Sequence, residues 1–107
     1  MTIAIDILLA TYNGEKYLTQ QLDSIVAQSF KLWRVLVRDD GSSDRGCAIL
    51  KEYQKKIPNQ FHIIRDDLGN VGILQNFSLL MQHSEAPYVM FCDQDDIWNP
   101  EKISLTL

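Results

Sequence analysis

The sequence predicts an α/β fold in which a mostly parallel sheet lies between layers of helices, a three-layer α/β/α arrangement. Two observations predict it. Short apolar runs alternate along the chain with longer segments whose apolar residues recur at helical spacing. Polar loops follow the apolar runs, as expected where parallel strands open into a site at their carboxyl ends. With 107 residues, the chain forms one domain or part of one.

The first strand and helix come from residues 5–28. The run 5–10 is almost wholly apolar, as in a parallel strand covered on both faces. Asp6 is the exception, and in a central strand its carboxylate would need a partner. The helical segment 15–28 has the apolar spacing of an amphipathic helix, at Leu18, Leu22, Ile25 and Val26.

The second strand, residues 33–38, ends at a polar turn in which Gly41 supplies the flexible position. Ser42 or Ser43 is expected to cap the helix that follows. This helix ends before Pro58, and its apolar side carries Cys47, Leu50, Tyr53 and Ile57.

The remaining elements continue the alternation. Residues 61–65 form a third strand and residues 88–92 a fourth. Asn99 followed by Pro100 predicts the start of a last helix, with Asn as the cap and Pro in the first turn. Between the third and fourth strands lies a helix whose apolar stripe is Ile73, Phe77, Leu80 and Met81.

Charge and composition restrict the class of protein. The net charge is −4 and no run of Lys or Arg is present, which argues against a nucleic-acid-binding protein. Cys47 and Cys92 lack metal-site spacing and lie in apolar segments, so we expect buried or partly buried reduced thiols of a cytosolic protein. The sequence has no basic leader and no apolar run of about 18 residues. We therefore expect a soluble cytoplasmic domain.

Carboxylates follow the second strand. Asp39 and Asp40 come directly after its apolar residues, and Asp44 precedes the next helix. On chemistry alone, Asp39 and Asp40 fit a binding site and a turn about equally well. Asp44 favours an ordinary helix cap.

A denser acidic group, Asp93, Asp95 and Asp96, directly follows the fourth strand. Like charges at one edge of a sheet repel each other unless a cation or a cationic ligand neutralises them. Carboxylate oxygens suit Mg²⁺ or Mn²⁺, which complete their coordination with water and substrate phosphates. The chain has neither the Gly-x-Gly-x-x-Gly of dinucleotide-binding folds nor the P-loop of NTPases, so a diphosphate bound here would need such a metal.

Four blocks of the sequence resemble the motifs of family 2 glycosyltransferases, in that family's order and spacing. They are residues 7–14, ending Ala-Thr-Tyr-Asn-Gly, residues 36–44, containing Asp-Asp-Gly-Ser-Ser-Asp, residues 70–76, and residues 91–103, containing Asp-Gln-Asp-Asp-Ile-Trp. The last variant is most similar to bacterial rhamnosyltransferases and related enzymes of surface-polysaccharide synthesis. The resemblance implies the GT-A fold, a Rossmann-like fold of nucleotide-diphospho-sugar transferases. Residues 1–107 would be its N-terminal nucleotide-sugar-binding portion, truncated before the acceptor-binding half.

The resemblance also implies roles for individual residues. Thr11 and Tyr12 would flank the nucleobase, with the Tyr ring as a stacking face. Asp40, or its neighbour Asp39, would accept a hydrogen bond from the ring N–H of uracil or thymine. Asp93 would face the ribose or the donor sugar. For the nucleotide sugar, the implied site also includes Asn13 and Asn76. For Mg²⁺ or Mn²⁺, the implied ligands are Asp95 with Asp93 and Asp96.

The implied reaction transfers a sugar from a UDP- or dTDP-linked donor to a hydroxyl of a carbohydrate or lipid-linked acceptor, with inversion at the anomeric carbon. The family's catalytic base is an acidic residue beyond Leu107, so this chain is expected to bind donor without efficient turnover. The parent protein is expected in the cytoplasm, with peripheral association at the inner face of the cytoplasmic membrane and homo-oligomerisation as further expectations. Trp98 is expected to pack in the core rather than bind sugar.

Two other classes of protein also place acidic residues beside a parallel sheet. A haloacid-dehalogenase-like phosphatase carries Asp-x-Asp after its first strand, whereas here the motif follows the fourth. A non-catalytic receiver-like or nucleotide-binding module has its acidic pair after strand one, where this sequence has Thr11, Tyr12 and Asn13. Phosphate release from a phosphomonoester would favour the first alternative, and stable acyl-phosphate labelling would favour the second.

Overall fold

The computed structural model describes residues 2–92 and 97–106. Strands and helices alternate along these residues, which confirms the predicted α/β fold. The strands are β1 (Ile5–Thr11), β2 (Trp33–Asp39), β3 (Phe61–Ile63) and β4 (Tyr88–Cys92). The helices are α1 (Glu15–Val26), α2 (Gly46–Lys56), α3 (Ile73–His83) and α4 (Lys102–Thr106). Within the described ranges, no helix combines the length and the apolar character needed to cross a bilayer.

The four strands form one parallel sheet in the order β3-β2-β1-β4. In β1, Ile7 lies between Val35 of β2 and Met90 of β4. All seven residues of β1 are buried, which explains why its sequence is a nearly continuous apolar run. The carboxyl ends of β1 and β2 lie side by side, with Thr11 opposite Asp39.

Helices cover both faces of the sheet, as the three-layer prediction requires. Successive strand residues point to opposite faces, and each face of β1 enters a different apolar cluster. One cluster reaches α1, α2 and α4 through Leu22, Leu50 and Ile103. The other cluster reaches α3 through Leu80.

Asp6, the polar residue of β1, has the partners that its burial requires. Arg34 lies opposite it in β2 and donates from Nε to Oδ1 at 3.0 Å and from Nη2 to Oδ2 at 3.1 Å. Ser84 Oγ and the backbone N–H groups of Glu85 and Ala86 also donate to Oδ2. Burial raises the pKa of Asp6, but these hydrogen bonds outweigh burial and hold that pKa below its ordinary value.

Several element boundaries differ from the predicted ones. β1 and β2 each extend one residue further than predicted, to Thr11 and Asp39. β3 ends at Ile63 rather than at residue 65. α1 ends at Val26 rather than at residue 28, and the Gln28 side chain instead supports the last helix. Its Nε2 donates to Asn99 O at 2.6 Å, and its Oε1 accepts from Ile103 N at 3.0 Å. Asn99 caps the turn that leads into α4, as expected, since its Oδ1 accepts from the Glu101 N–H at 2.9 Å.

The prediction that Ser42 or Ser43 caps α2 is wrong. α2 begins later, at Gly46, and Asp44 Oδ1 accepts from the Gly46 N–H at 2.9 Å. Arg45 is the residue that precedes α2, and no side chain caps the helix there, so Asp44 lies one residue before the cap position. Its Oδ2 also accepts from the Glu15 N–H at 3.0 Å. The two serines instead pair with Asn13: Ser42 Oγ accepts from its N–H, and Ser43 N donates to its Oδ1, both at 2.8 Å.

The predicted apolar stripe of α3 is rotated relative to the face that is buried. Asn76 and Leu80 are the buried residues of this helix, whereas Ile73 and Met81 are more than half exposed. Most apolar residues of α3 lie together on one side of the helix, but only the part of that side with Leu80 and Phe77 packs on the second core cluster, so helical spacing alone did not fix which part is buried.

Candidate functional site

A pocket of about 340 Å³ opens at the carboxyl ends of β1 and β2, beside the start of α3. This is the edge of an open α/β sheet where ligands bind. Four of the residues predicted to bind the nucleotide sugar line it, namely Thr11, Tyr12, Asp40 and Asn76. The other lining residues are Ala10, Asn70, Gly72 and Ile73.

Asp40 presents a fixed carboxylate to this pocket, with the residue only 4% exposed. Its Oδ1 accepts from Arg38 Nη1 at 2.7 Å and from Val71 N at 2.9 Å, and its Oδ2 accepts from Gly72 N at 3.0 Å. Burial raises the pKa of Asp40, but the hydrogen bonds from Val71, Arg38 and Gly72 together outweigh it and lower the pKa. Asp40 is therefore an ionised hydrogen-bond acceptor at neutral pH.

Arg38 is a residue of this site that the sequence analysis did not identify. It is 2% exposed and joins Asp40 to Asp66, whose carboxylate it binds in a bidentate pair at 2.9 and 3.0 Å. The pair with Arg38 lowers the pKa of Asp66 to about 2. Asn76 adds a second connection, because its Nδ2 donates to Arg38 O at 3.1 Å. The sequence did contain a signal, since Arg38 and Asp40 are two residues apart and so lie on the same side of an extended chain.

Thr11, the last residue of β1, and Tyr12, which follows it, also line the pocket. Thr11 is 2% exposed and its Oγ1 has no hydrogen-bond partner among the described residues. A buried hydroxyl that lines a pocket without a protein partner is suited to a polar ligand. Tyr12 lines the pocket and is 47% exposed.

Asp39 and Asn13, although predicted for the site, do not line this pocket. Asp39 accepts from Ser42 N at 2.8 Å and from Cys47 Sγ at 3.2 Å. Asn13 adopts a positive φ of 50° and bonds to Ser42 and Ser43, as described above. Both residues thus stabilise the turn after β2 and place it beside the end of β1. Cys47, predicted to be buried at least in part, is exposed in the first turn of α2.

The predicted metal ligands Asp93, Asp95 and Asp96 lie outside the described residues. The strand that leads to them is described as far as Cys92, which lies opposite Leu9 at the carboxyl half of β1 and is buried as predicted. Elsewhere in the described part of the chain, no group of three His, Cys, Asp or Glu side chains could hold a metal. Just beyond the acidic segment, Trp98 is 5% exposed and belongs to the main core cluster, which confirms the predicted packing role.

Comparison with known proteins gives consistent matches over the whole chain. A model described as glycosyl transferase family 2 matches residues 6–107. The dTDP-rhamnosyl transferase RfbG of Shigella flexneri is 35% identical over 98 residues, which cover 89% of this chain and 34% of the relative. The poly(ribitol-phosphate) β-N-acetylglucosaminyltransferase TarS of Staphylococcus aureus is 32% identical over 99 residues, or 91% of this chain and 17% of the relative.

Solved structures show the same fold. TarS 1–349 in complex with UDP superposes with a TM-score of 0.86 at 28% identity, covering 97% of this chain and 31% of that one. The mannosyltransferase PcManGT from Pyrobaculum calidifontis, solved with GDP-Man and Mn²⁺, has a TM-score of 0.83 at 19% identity and covers 98% of this chain and 31% of that one. The latter likeness is one of fold alone.

The chain spans about a third of the length of the Shigella relative and less than a fifth of the staphylococcal one. None of these matches favours the phosphatase or the receiver-like alternative.

Proposed function

The chain belongs to glycosyl transferase family 2, and we propose that it holds the nucleotide-sugar site of an enzyme that transfers a sugar to an acceptor hydroxyl with inversion at the anomeric carbon. The observation that carries this proposal is the Asp40 carboxylate, held ionised at the wall of a pocket at the carboxyl ends of β1 and β2. Such a carboxylate recognises a ligand through an N–H or O–H donor.

The ligand chemistry that fits is a keto pyrimidine. Uracil and thymine each present one ring N–H between two carbonyl oxygens. Asp40 would accept from that N–H, and the Thr11 hydroxyl, which has no partner among the described residues, would donate to a neighbouring carbonyl. Asp39 is assigned no contact with the base, because its carboxylate is turned into the Ser42 turn.

The half-exposed ring of Tyr12 would stack on the base. Among the relatives, RfbG is named as a dTDP-rhamnosyl transferase, and TarS has been solved with UDP and with UDP-GlcNAc. The uracil of UDP and the thymine of dTDP each offer a ring N–H to a carboxylate. Both relatives support a uridine or thymidine diphosphate sugar as the donor, linked to GlcNAc, rhamnose or a related hexose.

We further propose that Asp95, with Asp93 and Asp96, binds Mg²⁺ or Mn²⁺. The donor set is made of carboxylate oxygens, which both ions prefer. These aspartates directly follow β4 in the sequence, and β4 is the neighbour of β1 in the sheet. A divalent ion bound there would neutralise the charge that develops on the departing diphosphate.

The other components of the reaction belong to the parent protein. We propose a carbohydrate or lipid-linked acceptor in cell-envelope polysaccharide synthesis, since TarS is named for transfer of N-acetylglucosamine to poly(ribitol-phosphate) and RfbG for rhamnosyl transfer. The general base that deprotonates the acceptor hydroxyl is assigned to a carboxylate outside residues 1–107. Residues 1–107 would form the donor-binding portion of the enzyme. The parent would act in the cytoplasm at the inner face of the membrane, as a monomer or homo-oligomer.

The pocket assignment is tested by calorimetric titration of UDP and dTDP, with Mn²⁺ present, into wild type, Asp40→Asn and Asp39→Asn. Asp40→Asn keeps the side-chain shape but loses the charge and one acceptor oxygen, so affinity should fall at least about tenfold, the size of one charged hydrogen bond. Asp39→Asn should bind nearly as wild type does. Equal affinity of wild type and a folded Asp40→Asn would exclude Asp40 from base recognition.

A further inference from the structure

We propose that Arg38 is a positioning residue that fixes the orientation of the Asp40 carboxylate and thereby the preference of the pocket for bases with a ring N–H donor. The inference rests on the proposed function, because it assigns to Arg38 the selectivity of that same site. The geometry of the guanidinium carries it.

The Arg38 guanidinium makes five hydrogen bonds, which equals its full number of N–H donors. Nε and Nη2 donate to the two oxygens of Asp66 at 2.9 and 3.0 Å, and Nη2 also donates to Gly69 O at 2.9 Å. Nη1 donates to Asp40 Oδ1 at 2.7 Å and to Asn76 Oδ1 at 3.4 Å. A fully paired, buried guanidinium is rigid, since any rotation would break several charged bonds at once.

These bonds connect three elements around the pocket. Arg38 belongs to β2, Asp66 and Gly69 belong to the segment 66–72 between β3 and α3, and Asn76 belongs to α3. The segment 66–72 returns to Asp40, because the amides of Val71 and Gly72 donate to its two oxygens. Arg38 therefore holds Asp40 directly and also holds the segment whose amides complete the arrangement.

The number of free acceptor positions on Asp40 determines which base the pocket prefers. An ionised carboxylate offers about four acceptor positions, and Arg38, Val71 and Gly72 occupy three of those on Asp40. One position, on Oδ2, is left for a ligand. A single ring N–H, as in uracil or thymine, matches it. Cytosine presents an unprotonated ring nitrogen at the same place, and two facing acceptors repel each other.

The chain contains a matched ion pair that lies away from the pocket. Arg34, four residues earlier on β2, makes the same bidentate pair with Asp6 at 3.0 and 3.1 Å. The other donors to Asp6 come from Ser84, Glu85 and Ala86, and none of these residues lines the pocket. Arg34→Met therefore removes the same kind of interaction from the same strand without touching Asp40.

The test titrates UDP and CDP, with Mn²⁺, into wild type, Arg38→Met, Arg38→Lys and Arg34→Met, after circular dichroism has shown which variants fold. Arg38→Met should weaken UDP binding about tenfold or more and reduce the UDP-to-CDP affinity ratio, because the carboxylate loses one charged bond and its fixed orientation. Arg38→Lys keeps the charge without the planar fork, so its UDP affinity should lie between those of wild type and Arg38→Met. Arg34→Met should lower stability but leave both the affinity and the ratio unchanged.

Asp66→Asn supplies a second route in case Arg38→Met does not fold. Asp66 is partly exposed, and its substitution weakens the hold of Arg38 on the segment 66–72, so UDP affinity and the UDP-to-CDP ratio should both fall. Wild-type selectivity in folded Arg38→Lys and Asp66→Asn, or an equal loss in Arg34→Met, would overturn the inference while leaving the proposed function intact. A wild-type chain that binds no UDP would overturn both.

Discussion

Three aspartates with depressed pKa values connect the elements of this domain. Asp6 pairs with Arg34 at one end of the sheet, and Asp40 and Asp66 pair with Arg38 at the other. For Asp6 and Asp40, burial raises the pKa but hydrogen bonds outweigh it. For Asp66, the hydrogen bonds from Arg38 are the largest influence and lower the pKa to about 2. All three therefore stabilise the fold only while they are ionised.

Acidification should consequently lower the free energy of unfolding. The folded-state pKa values lie below the ordinary value of 3.8, so the unfolded chain takes up these protons first. The stabilisation is complete well above pH 3.8 and is lost as the pH falls toward about 2, the folded value for Asp66. Urea unfolding followed by circular dichroism at a series of pH values measures this loss. Asp66→Asn should be less stable than wild type at neutral pH but lose less on acidification; an identical pH dependence of the two would contradict this assignment.

The sequence identified the residue types of the site better than their exact partners. The motif resemblance predicted Thr11, Tyr12 and Asp40, which share one pocket, but left Asp39 open as an alternative to Asp40. Adjacent residues of an extended chain point to opposite sides, and only the position of segment 66–72 decides which of the two faces the pocket. Arg38 was missed because the spacing from Arg38 to Asp40 is a weak local signal, and its other partner, Asp66, is distant in sequence.

Among the elements, α3 connects the pocket to the core. Its first turn carries Ile73 and Asn76, which line the pocket, and its second half buries Leu80 against Leu8 and Leu36 of the sheet. The position of the pocket wall therefore depends on how this helix packs.

Truncation of the buried Leu80 side chain of α3 should destabilise the domain. Leu80 is fully buried, so Leu80→Ala should lower the free energy of unfolding by about 2–5 kcal/mol through lost burial and the remaining cavity. Leu74, on the same helix, is 85% exposed, and Leu74→Ala should change stability by less than about 0.5 kcal/mol. Urea unfolding of both variants measures the difference. Similar losses in the two would mean that α3 packs through another face.

The sequence predicted where the helices lie better than which face each one buries. The apolar stripe of α1 was confirmed at Leu18, Leu22 and Ile25, which are buried, but not at Val26, the last residue of the helix, which is 39% exposed. On α3, the apolar side is wider than the part that contacts β1 and β2, so the sequence alone did not show which residues of that side are buried. The end of β3 was also misplaced, because it depends on pairing with β2 rather than on the residues of β3 itself.

At the scale of the whole molecule, the alternation of apolar runs and helical segments was enough to predict a parallel α/β sheet. It did not predict the order β3-β2-β1-β4, which is set by long-range pairing. That order matters for function, because it places β1 between β2 and β4. The segments that follow these three strands carry Thr11 and Tyr12, Asp40, and the acidic group Asp93, Asp95 and Asp96.

The central claim is that this edge of the sheet binds a nucleoside diphosphate together with a divalent metal. Titration of ¹⁵N-labelled protein with UDP and Mg²⁺, followed by amide chemical shifts, tests it most directly. We predict that the amides of Val71 and Gly72, which donate to Asp40, shift on binding and return when EDTA removes the metal. The amides of Glu85 and Ala86, which donate to Asp6, should not move. Shifts centred on Glu85 and Ala86, or no shift at Val71 and Gly72 at saturating UDP and Mg²⁺, would contradict the account.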